Sequence, residues 1–424
     1  MSFSNKTDKK GFGFEYDVSD MFQMQGYLTR RGVPLQYGTT NQDATDVDVF
    51  GVKFIGLFEK HIIVCDCKNK ARAKPYERIF WAKGLGEFVK ASNVYVALTK
   101  TQPEIIEFAS MGGVKVLTSD IISQYSNLDN PYGLADASYF GEFEKKVEKI
   151  LKRNNIISSI FTNYKKLFLH NNPYLALNIA IADIEEITRE LKFFPDSKDE
   201  VNLVLRYLVC ELTSIVGFQL LSISSDVLGL PESRRREHIR NKLTFGEMEP
   251  RIVLNLMENA SDLANEIIKS SVPKSVAPKL VDFGPIEAPS YADSIVGLVE
   301  RALARPQMYL NMPQLLDFML FEQGFKGKEY SEEEFINIFG HGMSDERIKA
   351  PRNILAFIRG ICGIDWQVIW GKNKNDSSEQ SQGTASKSDI ELKKEEKVSK
   401  YVKKEVELKP LTNQDEKEID NKKK

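Results

Sequence analysis

The segment from Asp46 to Lys68 constrains the fold of this chain more than any other part of it. It reads as a strand, Asp46-Val47-Asp48-Val49-Phe50, a further strand and turn over 51–60, and then His61-Ile62-Ile63-Val64-Cys65-Asp66-Cys67-Lys68. Alternate side chains of a strand point to opposite faces. Asp46 and Asp48 therefore share one face, and Val47 and Val49 the other. In the following strand Asp66 and Lys68 share a face that Ile62 and Val64 continue inward, while Ile63, Cys65 and Cys67 take the opposite face. Being apolar on both faces for most of its length, this strand is predicted to be central and covered by helices on both sides. Carboxylates and a lysine at its end are costly to bury unless they are paired or bind metal, and such arrangements concentrate at functional sites.

Around this segment the first 125 residues read as helix, three strands, helix, strand, helix, strand. The spacing of Phe14, Val18, Met21, Phe22 and Leu28 predicts a helix from Phe14 to about Arg31, stopped by Gly32 and Pro34. Glu15 lies in its first turn, where a carboxylate complements the helix dipole. Leu35–Tyr37 reads as a short strand. A helix over about 75–91 would bury Ile79, Phe80, Ala82, Leu85, Phe88 and Val89, with Pro75 in its first turn and Lys83 and Glu87 paired on its surface. Val94–Leu98 and Val114–Leu117 read as strands, Pro103–Ser110 as a helix ended by Gly112-Gly113, and Thr118-Ser119-Asp120 as the cap of a helix through Tyr125. This alternation predicts an α/β layer with a partly parallel sheet.

From about 140 to 270 the pattern changes to long apolar-periodic runs that predict helices at Phe143–Leu151, Pro173–Leu191, Val201–Leu220 and Glu249–Ser270. Ser197-Lys198-Asp199-Glu200 has the form of a capping box, as has Ser331-Glu332-Glu333-Glu334. Val272–Tyr291 holds four prolines and reads as an extended connection. A further helical segment runs from Ala292 to about Trp370, with an apolar stretch, Met308–Phe321, interrupted by Pro313. Beyond Gly371 the chain is Ser, Lys, Glu, Asn and Gln with almost no aromatic residues, too polar to bury a core. The expected division is an α/β domain over 1–125, an α-helical domain over 135–272, a C-terminal helical segment over 285–370 and a disordered charged tail over 371–424.

Bulk properties exclude several classes. A net charge of −2 gives no global nucleic-acid signature, so any basic surface is local. Four cysteines with no Cys-x-x-Cys pair argue against a zinc ribbon or disulfide scaffold and suit a reducing cytoplasm. The start, Met-Ser-Phe-Ser-Asn-Lys, lacks the apolar run of a signal peptide, and no run approaches the length of a membrane span. The chain reads as soluble and cytoplasmic, without a membrane partner. His61, His170, His238 and His341 form no metal-ligand spacing. Gly84-Leu85-Gly86 is followed by no Lys-Ser/Thr, and no Gly-x-Ser-x-Gly elbow occurs. Cys65 and Cys67 read as core.

The triplet Asp66-Cys67-Lys68, with Asp48 on the preceding strand, resembles the signature of the PD-(D/E)xK, restriction-endonuclease-like superfamily, over about residues 11–125. No proline precedes the first acid; Thr45-Asp46 and Val47-Asp48 stand there instead, which leaves Asp46 as an understudy to Asp48. The resemblance implies a helix–strand–strand–strand–helix–strand core and a divalent-metal-dependent endonuclease acting on DNA, with RNA left open, in prokaryotic restriction, defence or repair. It implies Mg²⁺ or Mn²⁺ held by Asp48 and Asp66, Lys68 as a catalytic residue, and Glu15 from the first helix as a further ligand or orienting group. These residue types suit the chemistry. Mg²⁺ takes oxygen ligands, usually one or two carboxylates with water and substrate phosphate, and a lysine beside it can polarise the attacking water and offset developing charge. Lys70, Arg72, Lys74 and Arg78 follow on a strand-to-helix loop that could track a nucleic-acid backbone. Arg234, Arg235 and Arg236, with Arg240, form a second candidate nucleic-acid patch, for which a solvated basic helix is the plainer reading. Two rival readings stand beside the nuclease. One is a non-cleaving nucleic-acid-binding protein with the same fold, in which Asp66 and Lys68 are only a strand-end ion pair. The other is a homo-oligomeric or protein-binding chain that works through its helical region.

Overall fold

A computed structural model describes residues 12–36, 43–68, 74–126, 143, 146–147, 149–151, 155–272, 280–282, 284, 286–327, 331, 333 and 345–370. The chain forms one compact unit, Met1–Gly371, and a second, Lys372–Lys424, which lies outside the described residues together with the tail expected over 371–424.

The first helix, α1 (Phe12–Met24), ends seven residues before the predicted stop at Arg31. Gly26 adopts the left-handed conformation (φ +79°), and the amides of Gly26 and Tyr27 bond back to Gln23 and Phe22, closing the helix. Strand β1 (Leu28–Gln36) follows at once. Leu28, which continued the helical spacing, is thus the first strand residue. Gly32 and Pro34, read as helix stops, lie inside β1, and an edge strand tolerates both. Strands β2 (Asp43–Ile55) and β3 (Glu59–Lys68) form a hairpin, followed by α2 (Pro75–Phe88), β4 (Asn93–Leu98), α3 (Pro103–Met111), β5 (Val114–Thr118) and α4 (Ser119–Ser126). The five strands form one sheet in the order β1-β2-β3-β4-β5. The first three are antiparallel neighbours; β3, β4 and β5 run parallel, with α2 and α3 as the crossovers that parallel neighbours require.

The central strand β3 is covered on both faces, as its two-sided apolarity predicts. Ile63, Cys65 and Cys67 pack with Val49, Ala97 and Leu117 against Phe14, Val18, Met21 and Phe22 of α1 and Ile122 of α4. Val64 packs on the other side with Phe50, Val52, Val94, Val96, and Ile79 and Ala82 of α2. Gly86 of α2 lies directly on Val94, and a Cβ there would overlap that side chain.

The helical region comprises α5 (Asn155–Asn163), a 3₁₀ turn (Tyr164–Leu169), α6 (Pro173–Glu190), α7 (Glu200–Asp226), α8 (Glu232–Phe245), α9 (Pro250–Ser271), α10 (Ala292–Ala304), α11 (Met312–Phe318) running into a π-helical turn (Met319–Phe325), and α12 (Asp345–Cys362). The N-cap of α7 is Asp199, whose carboxylate accepts the Val201 amide at 2.6 Å, so Ser197 does not cap this helix. The second capping-box pattern falls largely outside the described residues. By length and composition α7 could cross a membrane, contrary to the expectation that no run approaches that length, but 89% of its most apolar stretch is buried inside the protein.

Sheet and helices share one core. Phe50 and Phe54 of the sheet meet Phe168 and Phe218 at ring-centroid distances of 6.2 and 5.7 Å. Beside them Arg30 of β1 enters the helical region and satisfies all its N–H groups. Nε donates to Glu211 (2.7 Å), Nη1 to the Thr29 carbonyl (2.8 Å) and Asp317 (3.1 Å), and Nη2 to Asp317 (2.6 Å) and Ser214 (3.3 Å). Tyr207 donates to the other Glu211 oxygen at 2.7 Å. Burial disfavours the guanidinium charge, but the two carboxylates outweigh it and hold Arg30 firmly protonated.

Removing one partner of a buried ion cluster strands the others without compensation. Arg30→Met should therefore lower unfolding free energy by about 3–5 kcal/mol in urea titrations, whereas Glu211→Gln, which keeps a hydrogen-bonding group, should cost less. A second prediction concerns α1. Asp20, part-buried beside Asp17 with one oxygen unbonded, has its carboxyl pushed up from 3.8 to about 6 by burial and then by the Asp17 charge. A carboxyl raised in the folded state binds more protons there than in the unfolded state, so its ionisation erodes stability as pH rises from about 4 to about 6. Asp20→Asn should raise the melting temperature at pH 7 and leave it nearly unchanged near pH 4.

Candidate active site

The β2–β3 ladder runs from Ile55 opposite Glu59 to Val49 opposite Cys65. At its end the Asp48 carboxylate takes the place of a backbone acceptor: its Oδ2 receives the Cys67 amide at 2.7 Å. The next residues of β3, Asp66 and Lys68, lie beside Val96 and Leu98 at the carboxyl end of the parallel β3–β4 pair. In open α/β sheets ligands bind outside the carboxyl ends of the strands.

Three side chains meet here. The Lys68 ammonium lies 3.2 Å from Asp48 Oδ2 and 3.6 Å from Asp66 Oδ1. Asp66 is buried (5% exposed), while Lys68 and Asp48 are partly open to solvent. A fourth group comes from α2: Arg78 grips Asp66 with both prongs, Nε to Oδ2 at 2.8 Å and Nη2 to Oδ1. Pro75 in the first turn of α2 and the close seating of Gly86 on Val94 fix the helix so that Arg78 reaches the end of β3. The Arg78 guanidinium also lies 5.9 Å from the Trp81 ring. Burial pushes the Asp48 carboxyl up, against the Cys67 amide and Lys68, which pull it down; the Asp66 charge adds to the rise. Burial pulls Arg78 down, and the hydrogen bond and charge of Asp66 more than reverse it.

The structure brings Asp48, Asp66 and Lys68 together and leaves Asp46 exposed on β2. Glu15 lies on α1, which packs on the Cys65–Cys67 face, and accepts from Arg31 at 3.1 Å. Its charge, with that of Asp48, reaches the Cys67 thiol, which burial above all pushes up. Cys65 and Cys67 are buried core residues. Of the basic loop, Lys70 and Arg72 lie outside the described residues, and Lys74 is exposed and paired with Glu77 at 2.7 Å. In the second patch Arg234 is exposed, Arg235 pairs with Glu300 (3.0 Å), and Arg236 and Arg240 pair with Asp293 (3.5 and 2.7 Å). Three of its four arginines thus fasten α8 to α10.

Sequence reasoning placed Arg78 on a phosphate-tracking loop and missed its clamp on Asp66. The available signal was its position in the first helical turn after a strand ending in a buried acid. Of the residues expected on the buried side of α2, Ile79 and Ala82 are buried and Leu85 and Val89 pack partly buried against the core, whereas Phe80 and Phe88 face solvent and Gly86 is buried in their stead. The buried stripe of α2 is narrow because small residues let it approach β4 closely.

Among the described residues no group of three or more His, Cys, Asp or Glu side chains could hold a metal ion. Asp48 and Asp66 nevertheless converge on a single cation, the Lys68 ammonium, with oxygen donors only. Two carboxylates of this kind suit Mg²⁺ or Mn²⁺, which commonly use one or two and fill the remaining positions with water and substrate oxygen. A divalent ion there would compete with Arg78 and Lys68 for the same oxygens.

No protein-family model matches the chain, and no solved structure matches it. Among curated proteins it is similar to an uncharacterized 25.9 kDa protein in the rpl12-rps7 intergenic region of Euglena longa, 25% identical over 161 residues, 37% of this chain and 74% of that protein.

Charge-assisted bidentate pairs are the strong ones. Losing the clamp leaves Asp66 buried with only Lys68 as a cationic partner. Without divalent ions, Arg78→Ala should therefore reduce stability by about 1.5–3 kcal/mol, while Lys74→Ala, in an exposed pair, should change it by less than about 0.5 kcal/mol. Chemical denaturation of both variants checks this.

Proposed function

We propose that this chain is a divalent-metal-dependent endonuclease that hydrolyses DNA phosphodiester bonds, built on a restriction-endonuclease-like α/β domain and working in the cytoplasm in restriction, defence or repair. The observation that carries the reading is the Lys68 ammonium 3.2 Å from Asp48 and 3.6 Å from Asp66, two acids from adjacent strands meeting at the end of a buried strand. The element order helix, three strands, helix, strand supports it, as does the spacing of Asp66 and Lys68 on one face.

In this reading Asp48 and Asp66 would hold Mg²⁺ or Mn²⁺, which when bound supplies Lewis acidity toward the scissile phosphate and water. The Cys67 amide fixes the Asp48 carboxylate, so that acid is already oriented. Lys68 carries three donors and no acceptor. Held between the two acids, it can turn one N–H toward the attacking water or toward the charge that grows on the phosphate. A guanidinium matches phosphate as well as carboxylate, so Arg78 transfers from Asp66 to a backbone phosphate as substrate arrives. Substrate would thereby strengthen Asp66 as a ligand, which in the free chain it shares with Arg78.

One observation favours a second reading. Arg78 takes both oxygens of Asp66, which is how a non-cleaving nucleic-acid-binding protein would neutralise an acid left in an old site. Incubating the full chain with supercoiled, linear and single-stranded DNA and with RNA, in Mg²⁺, Mn²⁺ or EDTA, separates the two. Cleavage that needs the metal and falls at least about a hundredfold in Asp66→Ala and in Asp48→Ala, with circular dichroism unchanged, is the expected result. Absence of cleavage on every substrate, or full activity in Asp66→Ala, contradicts the nuclease.

A further inference from the structure

Helix α2 presents three large aromatic residues to solvent, one of which, Phe80, its amphipathic pattern assigned to the core. Tyr76, Phe80 and Trp81 are 47, 66 and 46% exposed. Rings of this size in water are unfavourable, and exposed rings gathered on one helix are a mark of an interaction surface. The rings are braced: Phe108 of α3 meets Tyr76 at 5.0 Å and Phe80 at 5.7 Å, with ring planes 80° and 78° apart. They are also joined to the acid site, because the guanidinium that clamps Asp66 is the one 5.9 Å from the Trp81 ring.

We infer that this face binds unpaired nucleotides, Tyr76, Phe80 and Trp81 stacking on bases while Arg78 meets the backbone. The inference rests on the nuclease reading of Asp48, Asp66 and Lys68 and gives it a substrate class: single-stranded or locally unpaired nucleic acid rather than continuous duplex. The chemistry selects this occupant. Stacking needs flat π faces, which aromatic side chains have and aliphatic ones lack, and every base has a face to offer once it is unpaired. Bases inside a duplex are already stacked on one another. Positive charge beside the rings is what a phosphodiester backbone requires. Lys74 and Lys83 flank them, each in an exposed pair with a glutamate at 2.7 and 2.9 Å, and such pairs are weak enough to open to a phosphate.

Trp81 reports the contact directly, since of the other two tryptophans Trp366 is buried and Trp370 is partly buried beside it, 6.1 Å between ring centroids. The full chain, with Ca²⁺ replacing Mg²⁺ to suppress cleavage, is titrated with an oligothymidylate and with a duplex of equal length while tryptophan emission and anisotropy of the labelled DNA are followed. The single strand should quench emission and bind several-fold more tightly than the duplex. Trp81→Phe should abolish the quench, and Tyr76→Ala with Phe80→Ala should weaken single-strand binding by about tenfold or more. Trp81→Phe should keep the wild-type melting temperature, while Tyr76→Ala with Phe80→Ala, which gives up the ring contacts to Phe108, should lower it slightly with circular dichroism unchanged. Asp66→Ala should still quench; a wild-type chain that quenches but cleaves no nucleic acid in Mg²⁺ or Mn²⁺ overturns only the nuclease reading. Cleavage of DNA without quenching, or duplex bound as tightly as single strand, overturns this inference alone. A dimer in light scattering that Phe80→Glu converts to a monomer also overturns it, because a second copy would then cover the rings.

Discussion

The fold depends on a buried charge. Arg30 leaves the edge strand of the sheet and ends among Glu211, Ser214 and Asp317 of the helical region, with a hydrogen bond for each of its N–H groups. Its guanidinium also lies 5.4 Å from the Phe168 ring and 5.8 Å from that of Phe321. Apolar contact between sheet and helices could slide; a forked donor matched to two carboxylates cannot. Replacing a complete cluster of this sort by apolar residues is often harmless, whereas breaking it is not. We therefore read the cluster as fixing how β1 sits on α7 and α11. Through the β1–β2 pairing, Arg30 opposite Phe50, the same anchor sets the strand that carries Asp48.

The acid site is built on the opposite principle. Arg30 is sealed in, but the Asp48–Asp66–Lys68 group sits where a ladder ends and solvent begins, with Lys68 and Asp48 partly exposed. Two acids so near one another raise the cost of ionisation, and two basic groups answer it, one on the same strand and one from α2. Arg78 gives α2 two tasks at once: its guanidinium balances Asp66, and its position one turn before Trp81 connects that acid to the ring-bearing outer face. In the proposed reaction the same exchangeable pairing would neutralise the acids before substrate binds.

Much of this was legible in the residues. The two-sided apolarity of Ile62–Cys67 led directly to a central β3 between two helical layers, and the alternation of Asp66 and Lys68 led to their shared face. Gly112-Gly113 and Thr118 marked the end of α3 and the start of α4 through local backbone chemistry. What failed failed for tertiary reasons. The boundary at Gly26 was invisible because Leu28 fits a helical stripe as well as a strand, and nothing local marked Arg30, whose partners lie 181 and 287 positions away. Phe80 and Phe88 of α2 were misassigned because periodicity weighs hydrophobicity, while Gly86 buries itself by size. The Asp66–Arg78 clamp needed the orientation of α2, which no local pattern carries.

The central claim is that Asp48 and Asp66 form a divalent-cation site for which Arg78 competes. Calorimetric titration of the full chain with Mn²⁺ addresses it without relying on turnover. The account predicts saturable binding of one ion per chain that is lost in Asp48→Asn and in Asp66→Asn and tightened in Arg78→Ala. Binding that is absent at millimolar Mn²⁺, or unchanged by all three substitutions, would contradict it.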